Sequence, residues 1–232
     1  DGWLTDSSRS IGSGIFHAAN TFSLIVRNNG TIFQIRVEPE ATILLDNQTL
    51  SSNTYDGTGG TAAVSNTSRG VFTESSSAYV YVTLGTMGAA TDFGDTHTTT
   101  GASSRTGCDH ATRGIFAGGG GNSPINDMEY ITIASAGNGT DFGNLSVARS
   151  TQSCQAMANT TRGVFPGGTV GAGSYSNVMD YVTIGTAGNA TDFGNLTAVS
   201  SKNPTACSIV RGLIFGGIGR TSVIDYITIA SA

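Results

Sequence analysis

The feature that most limits the fold of this chain is a phrase of about fifty residues that recurs along it. Arg113-Gly114-Ile115-Phe116 is followed by Glu129-Tyr130-Ile131-Thr132-Ile133 and then by Thr140-Asp141-Phe142-Gly143-Asn144-Leu145. Arg162-Gly163-Val164-Phe165 leads in the same way to Asp180-Tyr181-Val182-Thr183-Ile184 and Thr191-Asp192-Phe193-Gly194-Asn195-Leu196. Arg211-Gly212-Leu213-Ile214-Phe215 leads to Asp225-Tyr226-Ile227-Thr228-Ile229. A period this long denotes repeated supersecondary units, each of which buries its apolar face against a neighbour. Residues that recur with the phrase therefore read as architecture before chemistry.

Charged residues make up only 12% of the 232, about half the usual share. Gly, Ser, Thr and Asn fill the gap. With 38% hydrophobic residues and a net charge of −5, the composition is that of a folded chain. Short apolar runs broken by Gly and Asn predict all-β structure with many turns. No apolar run approaches the ~18 residues of a membrane-spanning helix. The single lysine, Lys202, argues against amine chemistry and a lysine phosphate grip. Eleven basic residues, none clustered, set against 16 acidic ones leave no nucleic-acid footprint. The start at Asp1, without Met or a signal-peptide pattern, leads us to expect a processed chain or part of a longer one. Three cysteines do not make a disulfide framework.

Arg69, Arg113, Arg162 and Arg211 serve as a ruler, spaced 44, 49 and 49 residues apart. A divergent fifth mark is Asn28-Asn29-Gly30, between Phe22–Val26 and Thr31–Ile35; Asn-Gly between apolar runs is a strong hairpin signal. Asn28 precedes Arg69 by 41 residues, and wrapping from Arg211 through the C-terminus to Asn28 takes 49. The matching wrap predicts a closed ring of five units, approximately 11–57, 58–97, 98–146, 147–197 and 198–232 plus 1–10, within one domain. Each unit reads as four strands. In the fourth, strand a is near Cys154–Ala158, b is Gly163–Gly168, c is Val178–Ile184 and d runs around Asp192–Thr197. The second unit repeats the c–d phrase at Tyr81–Leu84 and Thr91–Gly94; the first keeps it faintly at Ala41–Leu45 and Thr54–Gly57. The last unit lacks strand d. Gly2-Trp3-Leu4-Thr5 with Ser8-Arg9-Ser10 echoes Gly143-Asn144-Leu145-Ser146 with Ala148-Arg149-Ser150, so an N-terminal strand is expected to complete it. Four-stranded antiparallel sheets repeated radially form a β-propeller.

A strand ending in double Gly, then one aromatic on the next strand and another on the outer strand, resembles the kelch-type propeller repeat. The matching residues are Gly118-Gly119, Tyr130 and Phe142; Gly167-Gly168, Tyr181 and Phe193; and Gly216-Gly217, Tyr226 and Trp3. The chain departs from that pattern in using Phe where Trp is usual, and its first two units lack the double Gly. The wording D-Y-I-T-I and G-N-A-T-D-F-G-N-L also resembles repeats in virion structural and tail-fibre proteins of bacteriophages, particularly marine ones, well over 69–232 and poorly over 1–68. The resemblance implies a five-bladed kelch-like propeller on a particle surface.

The phenylalanines of strand b and of T-D-F-G (Phe93, Phe142, Phe193) are expected between neighbouring units. The recurring arginines and Asp92, Asp141 and Asp192 are expected to form ion pairs or cap turns, each of Arg113, Arg162 and Arg211 meeting a carboxylate or backbone carbonyls. D-F-G here recurs three times without a kinase catalytic loop or suitable lysine, so it is architectural. Gly118–Gly121 lacks the Gly-Lys-Ser/Thr of a phosphate loop. Cys108, Cys154 and Cys207 are expected at one repeated slot on the innermost strand, as small thiols rather than metal ligands. His17, His97 and His110 show no nucleophile partner. The carboxylates Glu129, Asp180 and Asp225 sit at repeat-equivalent places, unlike the convergent acids of a glycosidase. Sequons such as Asn138, Asn159 and Asn189 arise from the repeat.

No catalytic, cofactor or metal residue is expected, and no nucleic-acid partner or membrane insertion. Variation falls in the loops Thr73–Ser77, Gly119–Asn126 and Thr169–Asn177, shortened to Ile218–Ser222 in the last unit. Loops on a regular frame carry recognition, which singles out Glu74, Asn122, Asn126, Ser174 and Tyr175 as ligand-facing. The expectation is a non-enzymatic virion module for host-surface recognition or particle assembly, with other virion proteins and a host glycan or protein receptor as partners and with oligomers allowed. A carbohydrate-binding lectin is the alternative; a glycoside hydrolase ranks third.

Overall fold

The computed structural model is all-β. It describes the backbone of residues 15–16, 22–28, 31–37 and 43–44, and residues 62–231 apart from 75–76, 87, 99–102, 152–153, 202–203 and 217–221. The chain divides into two compact parts, Asp1–Asp56 and Gly57–Ala232.

In the first part, β2 (Phe22–Asn28) and β3 (Thr31–Val37) form an antiparallel hairpin with Asn28 opposite Thr31, the two-residue Asn-Gly connection that the sequence predicts. The expected four-stranded sheet over 11–57 is not seen among the described residues. β4 (Ile43–Leu44) pairs with β1 (Ile15–Phe16) instead of β3. The expected strand at Thr54–Gly57 and the N-terminal closing strand lie outside the described residues.

The second part holds four antiparallel sheets, each a simple meander. The second repeat forms β5 (Ala63–Ser65), β6 (Arg69–Glu74), β7 (Ala78–Thr83) and β8 (Thr91–Asp95). The third forms β9 (Thr106–His110), β10 (Arg113–Ala117), β11 (Asp127–Thr132) and β12 (Thr140–Asn144). The fourth forms β13 (Met157–Ala158), β14 (Arg162–Gly171), β15 (Ser174–Thr183) and β16 (Thr191–Asn195). The fifth has three strands, β17 (Thr205–Cys207), β18 (Arg211–Phe215) and β19 (Ile224–Thr228). First strands gather together, β5 beside β9, β9 beside β13 and β13 beside β17.

Local chemistry sets the turns. Between the first two strands, the Asn66 side chain accepts the N–H groups of Ser68 and Arg69 at 2.9 and 2.8 Å, and Asn159 does the same for Thr161 and Arg162 at 2.9 and 2.8 Å. A short amide that mimics a backbone turn explains why Asn precedes these arginines. In T-D-F-G the Phe is the extra residue of a β-bulge: Asp180 faces Asp192 while Met179 faces Gly194. The Gly after it has φ of 142° at Gly94 and 129° at Gly143, a conformation that suits glycine.

The core lies between sheets rather than within them. On the second strand, Ile115 and Val164 face the following sheet while Phe116 and Phe165 face the preceding one, a period of two. One cluster joins Val64, Val71, Tyr79 and Phe93 to Phe116 and Ile131; the next joins Ile115, Met128 and Phe142 to Phe165 and Val182. Each buried Phe contributes roughly 1.5–3 kcal/mol, so a sheet is stable only beside its neighbour. Contact is closest at the glycine after each arginine. A Cβ on Gly114 would meet Val64, on Gly163 the Cys108 sulfur and on Gly212 the Met157 sulfur, each at 2.5 Å.

This register corrects the expectation of one cysteine slot. Cys108 faces Ile115, but the matching position of the fourth sheet, opposite Val164, is Met157. Cys207 faces Gly212, one residue out of phase, and is exposed, whereas Cys108 and Cys154 are buried. The turn before each arginine keeps one length, but Cys108, Cys154 and Cys207 stand five, eight and four residues before their arginines and so fall at different places.

The outer strands are stitched to the next sheet. Gly137 N–H donates to Phe93 O at 2.7 Å, and Asp95 N–H donates to the Asn138 side chain at 2.9 Å. One repeat later, Gly188 N–H donates to Phe142 O at 2.6 Å and Asn144 N–H to the Asn189 side chain at 3.0 Å. The Gly-Asn of each third-to-fourth-strand turn thus covers the exposed edge of the preceding outer strand, where unpaired backbone invites aggregation. The sequon asparagines Asn138 and Asn189 are structural.

Candidate interaction face

The ruler arginines follow one rule. Arg69, Arg113 and Arg162 each donate to a backbone carbonyl of the following sheet: Ile133 O at 3.2 Å, Ile184 O at 2.9 Å and Ile229 O at 3.2 Å. Each guanidinium also lies over the tyrosine of its own third strand, 4.2 Å from Tyr81, 4.2 Å from Tyr130 and 4.1 Å from Tyr181. These tyrosines meet Phe93, Phe142 and Phe193 edge-on at about 6 Å. Arg211 lies 5.2 Å from Tyr226, and no carbonyl partner is seen for it among the described residues. An Arg–Asp pair does not form: Asp141 and Asp192 are exposed and accept the N–H of Gly143 and Gly194, each at 3.0 Å. Asp92 is likewise exposed. An aspartate two residues before a backbone N–H reaches it without crossing to another strand.

The acid preceding Tyr130, Tyr181 and Tyr226 does the inter-sheet work. Asp180 accepts the N–H and hydroxyl of Ser146 at 3.1 and 2.6 Å, and Asp225 accepts those of Thr197 at 3.3 and 3.2 Å. Glu129 accepts the N–H of His97 and the hydroxyl of Tyr79, the latter at 2.6 Å. Two arginines outside the ruler complete the arrangement. Arg105 pairs with Glu129 and, at 2.9 Å, with Asp127, which also accepts the Thr98 hydroxyl at 2.5 Å. Arg149 pairs with Asp180 at 2.8 Å and donates to Phe165 O at 3.1 Å. Both arginine side chains are fully buried, and burial lowers the pKa of each. Burial raises the Tyr79 phenol, partly offset by Arg105. Among the described residues, Arg105 Nε and Arg149 Nε and Nη1 have no protein partner. Chemically the network holds sheets together: Glu129 and Asp180 are fully buried and each is engaged by several donors.

The positions expected to face a ligand are spread over three repeats. Glu74 ends β6 opposite Ala78. Asn122 and Asn126 are exposed on the β10–β11 connection, which is pinned by Leu145 N–H to Asn126 O at 2.7 Å and by Arg149 N–H to Ile125 O at 3.0 Å. The stretch Thr169–Asn177 is not a loop. β14 and β15 extend through it as a ladder, with Thr169 opposite Tyr175 and Gly171 opposite Ser174. Small residues and Gly read as a loop in sequence, but Thr169, Val170, Tyr175 and Val178 have side chains that suit strands. The base of this hairpin is clamped: Ser150 and Thr169 exchange backbone bonds of 2.8 and 2.9 Å, and Gly168 N–H reaches Ser200 O at 2.8 Å. Ser174 is exposed at the tip and Tyr175 half-buried.

No family model and no curated protein matches the chain. Among solved structures it is similar to "Structure of YjhT", with a TM-score of 0.61 and 8% identity over 75% of this chain and 64% of that one. At that identity the likeness concerns the fold alone, and the chain spans less than two thirds of that protein's length. Sequence reasoning missed Arg105 and Arg149 because both stand outside the phrase that marks the repeat, although each pairs with the acid before a third-strand tyrosine. The usable signal was an arginine off the ruler in a chain with only 11 basic residues.

Proposed function

We propose that the chain is a non-enzymatic recognition module, a five-bladed kelch-like propeller carried on a virion surface appendage such as a phage tail fibre. The ring reading draws support from contacts that pass each sheet to the next by one rule. The observation that carries the functional reading is the clamped β14–β15 hairpin, which presents Ser174 and Tyr175 beyond a frame held by buried charge pairs. The partner is a host-surface glycan or protein, with other virion proteins on the remaining faces.

A soluble lectin is the second reading, favoured by one aromatic beside a hydroxyl at that tip; tyrosine rings stack on sugar faces. The test has two arms. Mass spectrometry of purified particles is expected to find the chain, and its absence would sink the virion assignment. Binding to host cells or a glycan array is expected to fall at least tenfold in the Ser174→Ala/Tyr175→Ala double variant; unchanged binding would move recognition elsewhere.

A further inference from the structure

The β14–β15 hairpin stands in an uncharged setting. Its outer part, Gly167–Asn177, contains no charged residue. The connections that hold its base run over 145–151 and 196–201, and their one charge, Arg149, is buried against Asp180. Ser150 exchanges backbone bonds with Thr169, and Ser200 accepts the N–H of Gly168 and donates to Ser176 O at 3.0 Å. Asn177 O accepts the N–H of Leu196 at 2.7 Å. Near these clamps along the chain, Val147 is 36% and Val199 51% exposed. At the tip Ala172, Gly173 and Ser174 are exposed, and half-buried Tyr175 faces half-buried Thr169 across the ladder. Residues opposite one another in an antiparallel pair share a face, so this ring and hydroxyl stand side by side.

We propose that this hairpin binds a neutral glycan, a sugar ring lying on Tyr175 with Thr169 and Ser174 bonding its hydroxyls. The inference rests on the recognition reading of the hairpin and narrows its ligand. A charged group brought to this surface gives up hydration and meets no opposite charge among the described residues of these three segments, a net cost. A pyranose asks for what is present: an aromatic face for its C–H side, and hydroxyls that both donate and accept. The exposed valines add apolar surface without adding charge. A peptide fits less well. Strand addition needs free backbone groups along an edge, and at the base of the hairpin both groups of Thr169 and the carbonyls of Ser176 and Asn177 are taken. A folded protein partner needs about 800 Å² on each side, far more than a tip of small exposed residues supplies.

The test is an array of neutral and acidic glycans probed with the whole 232-residue protein, followed by titration of the strongest ligand. The expected ligands end in neutral hexose or N-acetylhexosamine, with affinity constant within about twofold from low to high salt because no charge is screened. Tyr175→Ala is expected to weaken binding about tenfold or more, and Tyr175→Phe by no more than about threefold, since the ring is kept. Ser174→Ala is expected to weaken it about three- to tenfold, the share of one neutral hydrogen bond. Lys202→Gln, which removes the cation next along the chain from Ser200, is expected to leave binding unchanged. Acidic glycans as the preferred ligands, affinity that falls steeply with salt, or a loss on Lys202→Gln overturns the proposal and leaves recognition by the hairpin standing. Binding untouched by both Tyr175→Ala and Ser174→Ala overturns the two together. Absence of binding to every glycan also overturns it, and leaves the protein receptor of the broader reading.

Discussion

The third and fifth repeats carry the same phrase, yet the acid before the tyrosine sits in opposite surroundings. Glu129 is fully buried and meets Arg105, Tyr79 and a backbone N–H; Asp225 meets only the backbone and hydroxyl of Thr197, at an exposed site. The motif therefore fixes the direction of the contact, and the neighbouring sheets decide how much it is worth. A carboxylate in the interior gains strongly from its donors and is costly without them. The same bonds in water gain little.

The sharpest way to break the comparison is Arg105→Ala. It leaves Glu129 and part of Asp127 buried without their cation, and denaturant unfolding is expected to register a loss of about 3–5 kcal/mol. Asp225→Asn is expected to cost under ~1 kcal/mol in the same assay. Equal losses would mean that burial does not set the difference. A second contrast uses one glycine position in two repeats. Gly143→Ala is expected to cost about 2–4 kcal/mol, since it combines strain at φ 129° with a clash against Gly188. Gly194→Ala, at φ 124° with no close described neighbour, keeps only the strain of about 1–2 kcal/mol. Thermal melts of the pair are the check.

Smaller effects concern titration. Burial raises the Cys108 thiol, helped by Asp109 and Cys207, so thiol labelling of the native protein is expected to modify Cys207 quickly and Cys108 only on unfolding. Burial also raises the Asp109 carboxyl, opposed by the N–H of Ser65. Its folded value stands above the unfolded one, near 4, so the native state holds the proton more tightly. Stability from this group is full below the unfolded value and declines as pH rises through the folded one. Asp109→Asn is expected to remove that decline, seen as a flatter stability curve above the ordinary carboxylate range of about pH 4.

The strand order of the last four repeats was legible because period-two apolar runs and turn asparagines act locally. Arg113 and Arg162 were legible as structural because their recurrence tied them to the frame. Their partners were not: a carbonyl of the next sheet has no sequence signature. Arg105 and Arg149 escaped for the opposite reason, standing outside the phrase whose recurrence drew attention. The β14–β15 hairpin was misread because Gly and Ser mark loops on average, whereas Ser150 and Ser200 clamp this stretch into a ladder. The cysteine slot failed because the three cysteines stand five, eight and four residues before their arginines, while the register of first on second strand is the same in each sheet.

The Gly-Asn stitch runs in one direction only: each sheet gives its turn backward and offers its outer edge forward. Such a head-to-tail contact is heterologous and has no built-in stopping point; it ends when a rotation closes or when the last edge is occupied.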